Sequence, residues 1–280
     1  MRTLFVSDLD GTLLTPQSEV SHTSAQMLNE AIARGAAFTI ATARTPATVI
    51  TLLSELDMRI PAVVMTGGAF YDFRARRLTQ PIFMDAQIAT SLLADWRSVG
   101  LSTFVYTLDL NGVLQVYHTG KLSDTERDFM SQRAGTPCKR FNVPANGESD
   151  IPTDLSRTML FFGMQPTEPA RRFYEQVCKD YGDTITPQFY HDIYGEEIGE
   201  LEMFPRGVNK ASALEKLASD LAIDRLVVFG DNVNDIPMMR LADEAIAVGN
   251  AKDVVKEHAT AVIGPNTDDS VARFILAETK

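Results

Sequence analysis

Short apolar runs alternate with amphipathic stretches near the start of the chain. Residues 3–8, 36–44 and 61–68 have the length and apolar content of buried strands. Between them, apolar positions recur at helical spacing over 21–35 and 46–57. This β-α-β-α-β order predicts a parallel sheet with right-handed crossovers.

The same pattern returns near the end of the chain. Helices are predicted over 207–223, 235–243 and 268–280, with strands at 225–231 and 244–249. Since both ends of the chain show the same alternation of predicted strands and helices, we expect them to form one domain. The predicted fold class is α/β, with a doubly wound, Rossmann-like parallel sheet as the core.

The middle of the chain has a different organisation. Strand-like and helix-like segments follow one another at 86–100, 102–108, 112–118, 157–164 and 169–182. We interpret this region as an inserted α/β cap domain at 84–195, with the core formed by 1–83 plus 196–280. The stretch "LEMFP" at 201–205 is accordingly assigned to a core strand.

Composition and charge narrow the class of protein. With 45% hydrophobic and 22% charged residues among 280, the chain is typical of soluble globular proteins. Its net charge of −11 argues against nucleic acid or an anionic membrane surface as a partner. Two cysteines suggest no disulfide framework, and neither a signal peptide nor a membrane-spanning run is evident. We therefore expect a cytoplasmic protein; the oligomeric state stays unknown.

Polar residues follow the predicted core strands where each strand ends. Asp8 and Asp10 follow the first strand, and Thr42 and Arg44 the second. The motif "GDNVND" supplies Asp231, Asn234 and Asp235 after a later strand, and Lys210 lies near a helix start. Ligands of parallel sheets bind at the carboxyl ends of strands, so we expect these side chains to meet there.

Carboxylates that converge on one point repel each other. A hard cation such as Mg²⁺ would relieve that repulsion, since it takes oxygen ligands and bridges to substrate phosphates. A lysine and a threonine hydroxyl would then hold phosphate oxygens. The residues therefore indicate phosphoryl transfer, with one carboxylate as a covalent nucleophile.

Each signal alone has an ordinary structural explanation. The aspartates 8 and 10 fit an Asp-rich turn, and "GDNVND" fits an Asx-rich or calcium-like turn. Lys210 alone would be a solvated helix lysine, Thr42 a satisfied hydroxyl and Arg44 a surface ion-pair residue. The basic cluster "DFRARR" at 72–77 fits a solvated hairpin turn better than a phosphate anchor. An active site is favoured because four of these signals occur together in the expected order along the chain: the two aspartates, Thr42, Lys210 and "GDNVND".

In this order the motifs resemble those of the haloacid dehalogenase-like (HAD) superfamily, and of its Cof-type phosphatases in particular. "DLDGTLL" matches the first motif, "TIATAR" the second, "GVNKASAL" the third and "GDNVNDIPMM" the fourth. The large insert between the second and third motifs is similar to the cap of Cof-type members.

The resemblance implies a role for each matched residue. Asp8 would be the nucleophile, and Asp10 would protonate the leaving group and then activate water. Mg²⁺ would be held by Asp8, the Asp10 backbone carbonyl and Asp231, with Asp235 in support. Phosphate contacts are assigned to Thr42, Lys210, Asn234, the Gly11 backbone and Arg44.

The function implied is a Mg²⁺-dependent phosphatase that hydrolyses small phosphate monoesters of sugars, polyols, nucleotides or vitamins. Alternatives are a phosphomutase of the same superfamily and a regulatory or binding module that lost turnover. The carboxylate of Asp10 favours hydrolysis, because an alkoxide leaving group needs a proton. One departure is Gly67, where Cof-type proteins often carry Asn; those substrate contacts are then absent or made by Thr66.

Overall fold

The computed structural model describes residues 2–191 and 197–279. Its strands are β1 (Thr3–Ser7), β2 (Ala37–Ile40), β3 (Ala62–Val64), β4 (Ala69–Asp72), β5 (Arg77–Thr79), β6 (Phe104–Leu108), β7 (Leu114–His118), β8 (Lys139–Phe141), β9 (Thr158–Pro166), β10 (Ile185–His191), β11 (Ile198–Pro205), β12 (Arg225–Gly230), β13 (Glu244–Ala247) and β14 (Ala261–Val262). Its helices are α1 (His22–Ala33), α2 (Pro46–Leu52), α3 (Ala86–Ser98), α4 (Asp124–Ser131), α5 (Thr167–Tyr181), α6 (Lys210–Asp220), α7 (Ile236–Leu241), α8 (Asp253–Lys256) and α9 (Ser270–Glu278). None of the described helices is both long and apolar enough to cross a membrane.

The chain divides into two compact units. The first comprises Met1–Gln80 and Asn209–Lys280, and the second Pro81–Val208. The predicted boundary at residues 195 and 196 lies outside the described residues. Strand β11 pairs with β9 and β10 in the second unit. The assignment of residues 201–205 to a core strand is therefore wrong.

The first unit contains a five-stranded sheet in the order β14-β13-β12-β1-β2. Every pairing in it is parallel, and Phe5 of β1 lies beside Val227 and Phe38 of its neighbours. Helix α1 packs on α9, and α6 packs on α7. The central strands are almost wholly buried, as expected for a parallel sheet covered by helices. The predicted α/β fold class is confirmed.

A small antiparallel sheet, β3-β4-β5, extends the first unit. Strand β3 meets the end of β2 through a parallel bridge between Ala41 and Val63. Because β4 runs antiparallel to β3, the turn that follows β4 lies at the amino ends of the parallel strands. The basic segment 72–77 spans this turn, which agrees with the predicted hairpin.

The second unit contains a six-stranded sheet in the order β10-β11-β9-β6-β7-β8. All of its pairings are antiparallel except that of β7 with β8. One apolar cluster joins Trp96 of α3 and Phe173 of α5 to Phe161 and Leu201 of the sheet. Hydrophobic burial of this kind is the main source of stability for such a layer.

Candidate active site

Three neighbouring parallel strands deliver the polar residues of the site. Asp8 follows β1 directly, Asp231 follows β12 directly, and Thr42 lies two residues beyond β2. Because β12, β1 and β2 are adjacent in the sheet, their ends are spaced about 4.8 Å apart. Lys210 is the first residue of α6, whose preceding Asn209 caps it by accepting the Ser212 N–H.

Lys210 is the centre of a buried ion cluster. Its Nζ donates to Asp8 Oδ1 and to Asp235 Oδ1, both at 2.7 Å. All three side chains are buried. Burial alone would lower the pKa of Lys210, but the carboxylates of Asp235 and Asp8 outweigh it and raise that pKa. Lys210 is therefore held as an ammonium ion rather than solvated on a helix surface.

Asp235 positions two parts of the site at once. Its Oδ1 accepts from Lys210, while its Oδ2 accepts the backbone N–H groups of Asp231 and Asn232, each at 3.1 Å. Gly230 leaves the space for it, since a Cβ there would lie 2.7 Å from Asp235 Cβ. Asp235 thus fixes both the lysine and the turn that carries Asp231.

Gly11 and Thr12 set the orientation of Asp231. Gly11 has φ of +76°, and a side chain there would collide with the Asp231 carboxylate. Thr12 Oγ1 donates to Asp231 Oδ1 at 2.9 Å. The turn from Leu9 to Leu14 closes with a 2.8 Å bond from the Leu14 N–H to the Leu9 carbonyl. The roles of Gly230 and Thr12 were not predicted, although both lie inside quoted motifs.

The negative charge of the site exceeds what Lys210 neutralises. Oxygens of Asp8, Asp231 and Asp235 lie within 4.8 Å of one another. Burial, reinforced by the charge of Asp235, raises the pKa of Asp8 to about 8 and that of Asp231 to about 6. Hard oxygen donors with uncompensated charge fit a divalent cation, whose own charge would lower both pKa values.

Asp10 lies at the rim of the site and pairs with Arg44. The guanidinium donates from Nε to Asp10 Oδ2 at 2.7 Å and from Nη2 to Oδ1 at 2.6 Å. The Asp10 side chain is 52% exposed, so the pair is in contact with solvent. The structure thus brings Arg44 to a carboxylate, in the bidentate geometry that fixes orientation best.

Thr42 and the residues after β3 form the other flank. Thr42 Oγ1 accepts the Arg44 N–H at 3.1 Å, and the Thr42 carbonyl accepts the Thr66 N–H at 3.0 Å. Met65, Thr66 and Gly67 all have positive φ, an unfavourable backbone for the first two. A side chain on Gly67 would collide with the carbonyl of Asn209, so a larger residue there would require the backbone to shift.

Two buried polar atoms near the site lack a hydrogen-bond partner among the described residues. They are Thr66 Oγ1 and Asn234 Oδ1. A buried polar group without a hydrogen-bond partner lowers the free energy of unfolding by roughly 1–3 kcal/mol, so such groups are uncommon in protein interiors. Each is therefore a buried polar group that no hydrogen bond from the described residues satisfies. The predicted phosphate contact of Asn234 stays a prediction.

A family model described as haloacid dehalogenase-like hydrolase matches residues 5–275. Pyridoxal phosphate phosphatase YbhA of Escherichia coli is 27% identical, over 96% of both chains. The 5-amino-6-(5-phospho-D-ribitylamino)uracil phosphatase YwtE of Bacillus subtilis is also 27% identical, over 96% of this chain and 95% of its own.

Solved structures share the architecture. A haloacid dehalogenase-like hydrolase from Bacteroides thetaiotaomicron aligns with a TM-score of 0.79 and 21% identity, over 99% of this chain and all of its own. A Thermotoga maritima protein aligns with a TM-score of 0.78 and 22% identity, over 98% and 97%. At this identity the likeness establishes the fold alone.

Proposed function

The chain belongs to the haloacid dehalogenase-like hydrolases, and from this premise we propose that it is a Mg²⁺-dependent phosphatase of small phosphate monoesters. The observation that carries the proposal is the buried cluster of Asp8, Lys210 and Asp235 beside Asp231. It combines a nucleophile, a fixed cation and excess carboxylate at the ends of adjacent strands. Phosphoryl transfer needs this combination.

Asp8 is the proposed nucleophile. Its carboxylate attacks phosphorus, the ester P–O bond breaks, and the phosphoryl group remains on Asp8. Lys210 touches Asp8 Oδ1, so its ammonium lies beside the oxygens that gain charge in the transition state. Thr42 and Asn234 bind the remaining phosphoryl oxygens in this proposal.

Asp10 is the proposed proton carrier. It gives its proton to the departing alkoxide and then takes one from the water that attacks the phosphorylated Asp8. Arg44 orients its carboxylate through two hydrogen bonds. We therefore assign Arg44 a positioning role toward Asp10, beside the phosphate contact that the sequence suggested.

Asp8 and Asp231 are the side chains that would hold Mg²⁺, together with the Asp10 carbonyl. When bound, the ion supplies positive charge for the phosphate oxygens and lowers the pKa of its carboxylate ligands. Asp235 has both oxygens committed to Lys210 and backbone N–H groups, so its part is to position Asp231.

The second unit is proposed as the cap that selects the substrate. Relatives are named for pyridoxal phosphate and for a phosphoribitylaminouracil. We therefore propose a soluble metabolite monoester, handled in the cytoplasm, as the substrate. These two compounds, with sugar and polyol phosphates and nucleotides, make up the first panel to test.

The test is release of inorganic phosphate from this panel and from p-nitrophenyl phosphate, with and without Mg²⁺. We expect Mg²⁺-dependent release without any bisphosphate activator, which separates hydrolysis from mutase activity. Asp8→Asn, which keeps the size of the side chain, should abolish it, while Asp124→Asn on the surface of α4 is the matched control. No release from any ester would contradict the proposal.

A further inference from the structure

Two asparagines follow the last two parallel strands of the first unit. Asn250 lies in the turn between β13 and α8, and Asn266 in the segment between β14 and α9. The sheet order β14-β13-β12-β1-β2 puts β13 directly beside β12, the strand that Asp231 follows. Because these pairings are parallel, both asparagines lie at the same edge of the sheet as the candidate active site.

Asn250 joins this edge of the sheet to the loop that follows β1. Its Nδ2 donates to the Gly11 carbonyl at 2.7 Å, and its Oδ1 accepts the Asn266 N–H at 2.9 Å. Asn266 Nδ2 in turn donates to the Leu14 carbonyl at 2.7 Å. The two asparagine side chains therefore bind the loop after β1 at two places, through its backbone carbonyl groups.

The turn that carries Asn250 also contacts the other half of the candidate active site. The Lys252 N–H donates to the Asp231 carbonyl at 3.0 Å. On its other side, the Gly249 N–H donates to the Gly264 carbonyl, also at 3.0 Å. This turn is therefore fixed to the segment after β14 and to the backbone of Asp231 at the same time.

The loop after β1 needs such a contact because of Gly11. Glycine adopts positive and negative φ about equally well, so its φ of +76° is not held by its own sterics. A bond to the Gly11 carbonyl fixes the peptide plane that leads to Thr12, whose hydroxyl orients Asp231. On the other side of Gly11, Arg44 holds the Asp10 carboxylate. The Asp10 carbonyl, a proposed Mg²⁺ ligand, therefore lies between two anchored points.

We propose that Asn250, supported by Asn266, is a positioning residue that holds the loop carrying Asp10 in place beside Asp231 and thereby strengthens Mg²⁺ binding. Neither asparagine is a catalytic residue, since each acts through a backbone carbonyl of the loop. Residues that orient metal ligands typically change metal affinity by about 10–100-fold when they are substituted. The effect on Mg²⁺ rests on the proposed function, whereas the order of the loop does not.

The first test is hydrogen–deuterium exchange of the full chain in EDTA, measured on peptides that span residues 9–14. In Asn250→Ala the amides of this loop should exchange at least about tenfold faster than in the unsubstituted protein, because opening of the loop no longer breaks the bond to Gly11. Asn266→Ala should have a smaller effect, since the bond from Asn250 to Gly11 and the Asn266 N–H both remain. This measurement requires neither metal nor turnover.

The second test is calorimetric titration of Mg²⁺ alone into the metal-free proteins. We expect Asn250→Ala to bind Mg²⁺ about tenfold more weakly than the unsubstituted protein, because the loop that presents the Asp10 carbonyl is no longer fixed. Saturating Mg²⁺ should then restore most of the phosphate release, since the groups that contact substrate are unchanged.

Asn29→Ala is the matched control. Asn29 of α1 also joins two segments: it donates to the Glu55 carbonyl and accepts the Asp57 N–H, each at 2.8 Å. Its substitution should lower the unfolding midpoint as Asn250→Ala does. Exchange of residues 9–14 and Mg²⁺ affinity should stay within about twofold of the unsubstituted protein, because Asn29 shares no hydrogen-bond partner with the loop.

Equal exchange of residues 9–14 in the two alanine variants would overturn the proposal. Faster exchange in Asn250→Ala with unchanged Mg²⁺ affinity would overturn the link between the loop and the metal. Absence of Mg²⁺ binding by the unsubstituted protein would contradict the proposed function, and the exchange of the loop would still decide whether Asn250 positions it.

Discussion

Both units bury a charged cluster, and the two clusters differ in how completely their charges are satisfied. In the second unit, Glu126 accepts from Ser102 Oγ and the Ser123 N–H, both at 2.7 Å, and contacts His118 Nε2 at 3.2 Å. Burial alone would raise the pKa of Glu126, but the bonds from His118, Ser102 and Ser123 outweigh it and lower that pKa.

The cluster of the first unit shows the opposite balance. Burial and the neighbouring Asp235 raise the pKa of Asp8 despite its contact with Lys210. A lowered carboxyl pKa means that the fold stabilises the charge, and a raised one means that the charge costs stability. We infer that Glu126 serves the fold, whereas Asp8 is retained, despite its cost to stability, for its proposed role as the nucleophile.

The strongest way to break this comparison is Asp8→Asn. It should lower phosphate release by at least about 10⁴-fold, because the nucleophile is lost. The free energy of unfolding of the metal-free protein should stay equal or rise, since a repelled carboxylate is removed while Lys210 keeps Asp235. Urea denaturation in EDTA measures this, and a large loss of stability would contradict our account of Asp8.

Glu126→Gln is the converse experiment. It should lower the free energy of unfolding by about 1–3 kcal/mol, because a buried acceptor of several hydrogen bonds becomes partly a donor. Turnover per folded molecule should be unchanged. The same urea denaturation, paired with the phosphate assay, checks both outcomes; lost turnover in a fully folded variant would refute a purely structural role for Glu126.

The pH dependence of stability should also differ between the clusters. Asp8 has a folded pKa of about 8, above its unfolded value of 3.8. Its contribution to the free energy of unfolding is therefore fully present at low pH and is lost as the pH rises from the unfolded pKa to the folded pKa. Glu126 has a lowered pKa, so its contribution to the free energy of unfolding is present at neutral pH and is lost as the pH falls below about 4.5.

Mg²⁺ sharpens this contrast. Denaturation midpoints of the metal-free protein at pH 5 and pH 8, repeated in Glu126→Gln and Asp8→Asn, separate the two contributions. Adding Mg²⁺ should raise the midpoint at pH 8 in the unsubstituted protein and less in Asp8→Asn, because a bound ligand stabilises the folded state. An equal rise of the midpoint in both proteins would show that Asp8 is not a ligand of the metal ion.

The smallest expected effect concerns two buried threonine hydroxyls, neither of which has a hydrogen-bond partner in the described chain. Thr66→Val and Thr158→Val should each raise the free energy of unfolding by about 1 kcal/mol, since an unsatisfied hydroxyl is removed. Thr66→Val should also lower kcat/KM if the Thr66 hydroxyl makes the substrate contacts that Gly67 cannot make, and Thr66→Ser should then restore it; Thr158→Val should leave kcat/KM unchanged. An equal kcat/KM for both valine variants would show that the Thr66 hydroxyl has no part in substrate binding.

The sequence predicts the position of this site better than its internal connections. Asp8, Thr42 and Asp231 each follow the apolar run of a strand. Because the carboxyl ends of parallel strands lie at the same edge of a sheet, these residues are expected to be neighbours whatever the directions of their side chains. The pairing of Arg44 with Asp10, and the double role of Asp235, depend on side-chain directions that no spacing encodes.

The misassigned strand has a similar explanation. Strand β11 alternates buried Leu201 and Met203 with buried Glu200 and Glu202, a pattern that fits either sheet. Its place in the second unit is decided by long-range pairing with β9 and β10. Short elements such as α4 and β8 were also missed, because each depends on the packing of the whole unit more than on its own pattern.

In the proposed reaction Asp8 carries the phosphoryl group and Asp10 assists its removal. The most direct test is to mix the Asp10→Asn variant with p-nitrophenyl phosphate and Mg²⁺, quench in acid and map the product by mass spectrometry. This leaving group needs no proton, so Asp8 should become phosphorylated quickly and lose the group slowly. We expect one phosphoryl group on the peptide that contains Asp8; release of phosphate without it, or a phosphoryl group elsewhere, would contradict the proposed mechanism.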